Sequence, residues 1–276
     1  MDDSDFPSRS MHRLLTPAVA FSAVIFVLGT ALAVDAPRYR DFVAPDTRQE
    51  DLFGSVKILR EKTSEIGEDG KEHLVSETTQ TFDPEGYLLE ETEIDHDDHT
   101  QTTTKRSYDA AGNWVQEEKS ENGKNPIITK IRLLPGQRRV IKEVPGVGGR
   151  TRISEETTYD NFRKEGYSRD YDLKGELESQ YQTKRNPKGQ ETEITFSDRN
   201  GKPETIITIT WNEQGFITGE KYDMRNQNCV SLDTYSHPSV DSQGNWTDQR
   251  ATKELTERRK TLGVTKEITT REIEYY

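Results

Sequence analysis

The chain has 276 residues, a net charge of −12 and 32% charged residues. Its hydrophobic fraction, 30%, lies below the roughly 45–50% apolar share of ordinary globular domains, which excludes a thick core and favours a thin, sheet-based structure. The acidic balance argues against nucleic acid as a partner, because phosphate binding needs clustered Lys and Arg. The single cysteine, Cys229, excludes an intrachain disulfide.

The first predicted element is an N-terminal hydrophobic helix. Residues 14–34 form a long uncharged apolar run that follows Arg9 and Arg13. The run ends in Ala-Leu-Ala at residues 31–33, a pattern that signal peptidases accept, but it also reaches the roughly 20 residues of a membrane-spanning helix. Residues 1–34 are therefore interpreted as a cleaved signal peptide or a retained inner-membrane anchor. Both alternatives predict that the rest of the chain is exported, periplasmic or extracellular, with membrane contact only through residues 14–34.

Residues 35–51 carry two prolines, mixed charge and no clear hydrophobic period. This composition is typical of a linker. Residues 52–276 are predicted to form the folded domain.

The domain contains a recurring turn, and its clearest copy is "SYDAAGNW" at residues 107–114. Asp at the start of a type I turn can accept hydrogen bonds from backbone amides ahead of it, and a Gly three residues later adopts the positive φ that closes the hairpin. In such a hairpin Asp109 opposes Asn113, and Tyr108 opposes Trp114 on the same sheet face. The pattern predicts a hairpin held by a cross-strand aromatic pair.

The same pattern of Asp or Asn followed three residues later by Gly recurs along the chain. Its copies include Asp83 and Gly86, Asp109 and Gly112, Asp172 and Gly175, Asn186 and Gly189, Asn212 and Gly215, and Asp241 and Gly244. Gly86 and Gly112 are 26 residues apart, as are Gly189 and Gly215. A repeat of this length with intervening turns predicts a train of hairpins.

Segments between the turns alternate as strands do. In "TIITITW", Ile207, Ile209 and Trp211 fall on one face, and Thr208 and Thr210 fall on the other. Because convincing helical periodicity is confined to the N-terminal segment, the prediction is an all-β fold: a repeat-built antiparallel sheet of successive hairpins. Residues 130–152 hold seven basic side chains and are interpreted as a solvated strand-and-loop surface or a docking patch for an acidic partner.

The segments "YDAAGNW", "FDPEGYL", "YDLKGEL" and "VDSQGNW" resemble the Tyr-Asp repeats of bacterial RHS/YD-repeat proteins, and the closing "EITTREIEYY" is similar to the end of short exported members. The resemblance covers roughly residues 52–276, apart from residues 130–165. It implies a long antiparallel sheet, which in large members coils into a hollow shell. This chain is expected to be too short to close such a shell.

The best cluster of metal-ligating residues is "DHDDH", with Asp95, His96, Asp97 and His99 as weak candidate ligands. The spacing fits neither a helical site nor a calcium loop, so a charged hairpin tip is the preferred interpretation, and no metal or cofactor is predicted. No Gly-x-Ser-x-Gly nucleophile elbow occurs. The chain is predicted to be non-enzymatic, with a paired-carboxylate hydrolase as a third alternative.

Aromatic residues are the candidate binding residues. Trp114 and Trp246 either stack on a ligand or pair across their hairpins. Tyr87, Tyr181 and Phe216 lie outside the pairing positions, and Tyr87 and Phe216 occupy the same slot after Gly. The predicted function is a structural or interaction scaffold at the cell envelope, whose exposed strand edges bind another envelope or surface protein. The alternative is a module that binds carbohydrate or another envelope polymer.

Overall fold

The computed structural model of the protein describes residues 38–49, 52–146, 150–257 and 260–276. All of them belong to one compact unit, Ala36–Tyr276. The predicted signal or anchor at residues 1–34 lies outside the described residues. None of the helices within the described ranges is long and apolar enough to cross a membrane.

Strands dominate the described part of the chain. Two short helices, α1 (Tyr39–Phe42) and α2 (Asp46–Gln49), come first, and a 3-10 turn lies at Pro135–Gln137. The strands are β1 (Val56–Ile66), β2 (Glu72–Phe82), β3 (Leu88–Asp95), β4 (Thr100–Tyr108), β5 (Trp114–Glu121), β6 (Lys124–Leu134), β7 (Arg139–Pro145), β8 (Thr151–Tyr159), β9 (Glu165–Tyr171), β10 (Leu177–Arg185), β11 (Glu191–Asp198), β12 (Pro203–Trp211), β13 (Ile217–Met224), β14 (Cys229–Val240), β15 (Trp246–Glu257) and β16 (Lys260–Tyr275).

These strands form a closed barrel. Each strand pairs antiparallel with its neighbours in sequence, and β1 pairs with β16, with Leu59 opposite Ile273 and Glu61 opposite Arg271. The all-β prediction of successive antiparallel hairpins is confirmed. The chain was expected to be too short to close a shell like that of the large family members, but its sheet does close, into a barrel. Closure depends on strand number, tilt and register together and not on chain length alone.

The repeated turn forms the predicted hairpin. The amide of Asp109 donates to the Asn113 carbonyl at 2.9 Å, and the Asp109 side chain accepts the amides of Ala111 and Asn113 at 2.9 and 2.8 Å. Tyr108 lies opposite Trp114, as predicted. The flanking residues of the other copies are paired in the same way: Phe82 with Leu88, Tyr171 with Leu177, Arg185 with Glu191, Trp211 with Ile217, and Val240 with Trp246.

One 26-residue period corresponds to one whole hairpin. Gly86 and Gly112 follow β2 and β4, and Gly189 and Gly215 follow β10 and β12. Because the strands alternate in direction, turns that follow even-numbered strands lie at one end of the barrel. We call it the strap end, because residues 38–49 and 52–55, here named the strap, lie across it.

Backbone amides of the strap donate hydrogen bonds to four of these turns. The amide of Tyr39 donates to Asn113 Oδ1 at 2.8 Å, and the amide of Thr47 donates to the Gly86 carbonyl at 3.1 Å. The amide of Ala44 donates to the carbonyl of Arg163 in the turn between β8 and β9 at 2.7 Å. The amide of Phe53 donates to Asn245 Oδ1 at 2.7 Å.

The hydrophobic core lies under the strap. One buried cluster joins Tyr39, Phe42 and Val43 to barrel residues, namely Tyr87, Trp114, Val140 and Tyr159. A second cluster joins Leu52 to Val56, Leu59, Phe82 and Leu88. Residues 38–49 of the predicted linker are thus packed against the sheet, because their few apolar side chains are spaced to face the barrel end.

Candidate functional site

An aromatic cavity of about 390 Å³ lies near the strap end, between hairpins of the second half of the chain. Its lining includes Ile207, Ile209 and Trp211 from β12. These three side chains share one face of the strand, as the alternation in the sequence predicted. Thr208 and Thr210 on the opposite face are exposed. Phe216 and Trp246 complete the aromatic wall.

The turns position Trp211, Phe216 and Trp246. Trp211 and Phe216 flank the turn at residues 212–215, and Trp246 begins the strand after the turn at residues 241–245. The strand register shifts beside each turn, between Thr210 and Trp211 and between Ser239 and Val240. Such a bulge increases local twist and re-aims the neighbouring side chain.

His237 connects two of these aromatic residues. Its ring centroid lies 5.0 Å from that of Phe216 and 5.7 Å from that of Trp246. Its Nε2 atom lies 3.0 Å from Nε2 of Gln249. Burial lowers the pKa of His237, and the nearby Arg271 cation lowers it further. The imidazole is therefore neutral at neutral pH and serves as part of the aromatic wall.

Arg271 fixes Trp246 from one side. The guanidinium carbon lies 3.5 Å from the centroid of the Trp246 ring, a cation–π contact. Its Nε atom donates to Glu61 Oε1 at 2.6 Å across the seam between β1 and β16. Closure of the barrel thus holds this wall of the cavity in place.

Hydrogen-bonding groups line the cavity beside its rings. Tyr222 and Glu220 belong to the lining, and the hydroxyl of Tyr222 donates to Glu220 Oε2 at 2.7 Å. Tyr235, behind the lining, donates to the same oxygen at 2.8 Å. Burial raises the pKa of both tyrosines, with the Glu220 carboxylate adding to the effect. The phenols consequently remain protonated donors. The cavity offers a small molecule both apolar walls and oriented polar groups. Its polar or charged lining residues are Lys164, Glu191, Glu220, Tyr222, His237, Gln249 and Arg271.

A second cavity of about 370 Å³ adjoins the first and shares Lys164, Glu191 and Ile194 with it. Tyr181 lies here, with its ring centroid 5.6 Å from that of Phe196 and its hydroxyl donating to Glu165. Burial raises the pKa of Tyr181, as does the Glu165 carboxylate.

The five aromatic candidates do not form one site. Phe216 and Trp246 share the aromatic cavity, and Tyr181 lies in the adjoining one. Tyr87 and Trp114 are 2% and 3% exposed and pack under the strap. Tyr87 and Phe216 occupy the same repeat slot, but neither belongs to an exposed stripe.

The candidate metal ligands form a hairpin tip between β3 and β4. Oδ1 of Asp95 accepts the amides of Asp97 and Asp98 at 2.9 and 2.8 Å, and His96 Nε2 lies 3.1 Å from Glu77 Oε2. His99 has a positive φ of 53°, as a tight turn requires. Within the described ranges, no group of three or more His, Cys, Asp or Glu side chains is arranged to hold a metal ion.

The basic segment at residues 130–152 is interleaved with carboxylates of neighbouring strands. Arg132 pairs with Glu143 at 2.7 Å and Lys142 with Glu155 at 2.9 Å. Lys142 also lies 5.5 Å from the Trp114 ring centroid and so faces the barrel interior. These pairings reduce the positive charge that the segment presents to a partner.

Sequence reasoning missed His237, Glu220 and Arg271. The alternation in "TIITITW" indicated the face that Trp211 shares with Ile207 and Ile209. No local pattern links His237 on β14 to Arg271 on β16, because the two meet only through the pairing of both strands with β15.

The fold defines the protein as an all-β barrel of successive hairpins. No family model and no curated protein matches the chain. Among solved structures, it is similar to a porin-like protein from Bacteroides uniformis, at 12% identity over 80% of this chain and 99% of that one, with a TM-score of 0.39.

Two further similar structures contain TcdB2-TccC3. The structure of TcdB2-TccC3-Cdc42 is 15% identical over 72% of this chain, with a TM-score of 0.29, and that of TcdB2-TccC3-TEV is 8% identical over 72%, with a TM-score of 0.23. The matched parts span only 10% and 15% of those two chains.

Proposed function

We propose that the protein is a non-enzymatic binding protein of the cell envelope whose ligand is a carbohydrate, held in the aromatic cavity. The observation that carries the proposal is the convergence of Trp211, Phe216 and Trp246 on one cavity that also presents Tyr222 and Gln249. A sugar ring has apolar C–H faces and a rim of hydroxyl groups. It therefore fits walls of flat aromatic rings with polar groups at their edges.

The acidic side chains of the cavity favour binding over hydrolysis. Glu191 pairs with Arg185 at 2.8 Å, and Glu220 accepts bonds from Tyr222 and Tyr235. A hydrolase of the two-carboxylate type needs one carboxyl group that donates a proton and a second that acts as base or nucleophile. A carboxyl group whose oxygens already accept bonds from a guanidinium or from two phenols is poorly suited to the first of these tasks, the donation of a proton.

We rank the scaffold function second, because the scaffold was predicted to bind its partner through an exposed strand edge. Each of the sixteen strands in the described ranges pairs on both sides. Strand addition needs an unpaired edge. A partner protein would have to bind side chains or turns.

The proposal also includes export of the protein from the cytoplasm and membership of the RHS/YD-repeat class. The apolar run at residues 14–34 and its preceding arginines support a location outside the cytoplasm. Assignment to the RHS/YD-repeat class is supported by the recurring turn, whose period is one hairpin of the barrel. Fractionation of cells into cytoplasm, membrane and exported protein tests the location, and recovery in the cytoplasm would contradict it.

The binding function is tested by thermal unfolding of the full-length protein with a panel of sugars and peptidoglycan fragments. A ligand at about 100 times its Kd adds about 2.7 kcal/mol to stability. We expect a selective upward shift that is lost in Trp211→Ala and Trp246→Ala. Trp114→Phe, which alters a tryptophan under the strap, is the control and should retain the shift. Cooperative melting with no shift for any sugar would overturn the proposal.

A further inference from the structure

A groove outside the aromatic cavity is formed jointly by the strap and two turns. Phe53 of the strap, Phe216, Val240 and Gln243 line it, and its volume is about 370 Å³. Phe53 and Val240 are 46% and 44% exposed, unlike Phe216, which is 7% exposed. The groove therefore presents apolar side chains to solvent at the strap end.

Phe216 lines both the groove and the aromatic cavity. The two spaces therefore adjoin at this residue. A ligand that fills the cavity and extends past Phe216 would enter the groove.

The two spaces are also held at a fixed separation. Asn245, which is 2% exposed, accepts the Phe53 amide at 2.7 Å and donates to the Phe53 carbonyl at 2.8 Å. The next residue, Trp246, lines the cavity. Asn245 thus holds the backbone of Phe53, whose ring lines the groove, and the adjacent Trp246 supplies a ring of the cavity. The two spaces are in this way linked through neighbouring residues, an arrangement preorganised for a ligand that contacts both.

We propose that Phe53 forms an outer sugar subsite, and that the ligand is an oligosaccharide of at least two units, with one unit in the aromatic cavity and the next in the groove. The inference rests on the proposed carbohydrate function and names the ligand class more narrowly. A single sugar would contact only the cavity, and the second unit would add stacking on Phe53.

The test measures the affinity of the full-length protein for glucose and cellobiose, and for N-acetylglucosamine and its β-1,4-linked dimer. We expect the dimer of one pair to bind on the order of tenfold more tightly than its monomer, which corresponds to about 1.4 kcal/mol. Phe53→Ala should abolish this gain and leave monomer binding unchanged, and Phe53→Tyr should keep it. Phe162→Ala is the matched control. Phe162 is 43% exposed and packs near Gly189, and it lines neither space.

The outcomes separate the two proposals. Equal affinity for monomer and dimer, or a dimer gain that survives Phe53→Ala, would overturn the outer subsite and leave the cavity as a binding site. If no sugar of the panel binds the wild-type protein, the carbohydrate function is overturned, and the outer subsite with it.

Discussion

The side chain of Asn245 is hydrogen-bonded to both peptide groups of Phe53, with its oxygen 2.7 Å from the Phe53 nitrogen and its nitrogen 2.8 Å from the Phe53 oxygen. Asn113, at the same position of another turn, accepts the amide of Tyr39 at 2.8 Å. The two "GNW" turns thus hold the two ends of the strap. In the other copies of the Asp/Asn-x-x-Gly turn, the residue that follows Gly is not Asn.

Asn245→Ala is expected to lower the free energy of unfolding by about 1–3 kcal/mol, because it leaves two strap backbone groups without partners. Chemical denaturation measures the loss. Asn200→Ala is the control, since Asn200 lies in an exposed turn and its side chain donates to Asp198 at 3.4 Å. The control should change the free energy of unfolding by no more than about 0.5 kcal/mol. An equally small loss for Asn245→Ala would contradict the role of Asn245 as an anchor of the strap.

Tyr39→Ala is expected to cost about 3–5 kcal/mol of unfolding free energy, the range for large aromatic residues removed from a core. Tyr39 is 1% exposed and its ring lies 5.9 Å from both Tyr87 and Trp114. Leu173→Ala, at a position that is 77% exposed, should change stability little. Similar melting temperatures for the two variants would show that residues 38–49 behave as a linker after all.

Gly86→Ala and Gly175→Ala form a matched pair that separates backbone strain from strap contact. Both glycines have a positive φ, +88° and +81°, so alanine is strained at both, by about 1–2 kcal/mol. A Cβ on Gly86 would lie 2.3 Å from Thr47 Oγ1, whereas nothing lies within 4 Å of one on Gly175. We expect Gly86→Ala to lower the free energy of unfolding by about 1–3 kcal/mol more than Gly175→Ala does. Thermal unfolding of both variants measures the difference. Equal losses would contradict the contact between strap and turn.

Protonation of His237 is expected to destabilise the fold as the pH falls. Burial and Arg271 lower its pKa from the ordinary value of 6.5. The unfolded chain therefore takes up this proton more readily, so the stability from neutral His237 is full above about pH 6.5 and is lost below it. His237→Gln should lose less unfolding free energy than wild type between about pH 7 and pH 5.

The control for the pH dependence is His73→Gln, at a side chain that is 64% exposed on a distant hairpin. Its stability curve should run parallel to that of the wild-type protein. Identical pH dependence of His237→Gln and wild type would show that His237 does not contribute through its charge.

Local features of this protein could be predicted from the sequence. The turn at residues 109–113 is specified by residues within five positions of each other, and the pairing of Tyr108 with Trp114 follows from the turn geometry. The shared face of Ile207, Ile209 and Trp211 follows from the two-residue period of a strand. For these features the interacting groups are neighbours in the chain.

The tertiary structure decided the features that join distant residues. Closure of the barrel brings Glu61 to Arg271, 210 positions apart, and depends on the accumulated register of sixteen strands in the described ranges. The strap packs because turns spread along the whole barrel meet at one end, where Asn113 and Asn245 can bind it. The aromatic cavity forms only when β11 to β16 curve around a common interior. The pairing of β15 with β16 places Arg271 near Trp246, and closure of the barrel adds the bond from Arg271 to Glu61. Local sequence therefore specifies the hairpins, and the pairing and closure of the sheet specify which of their side chains meet.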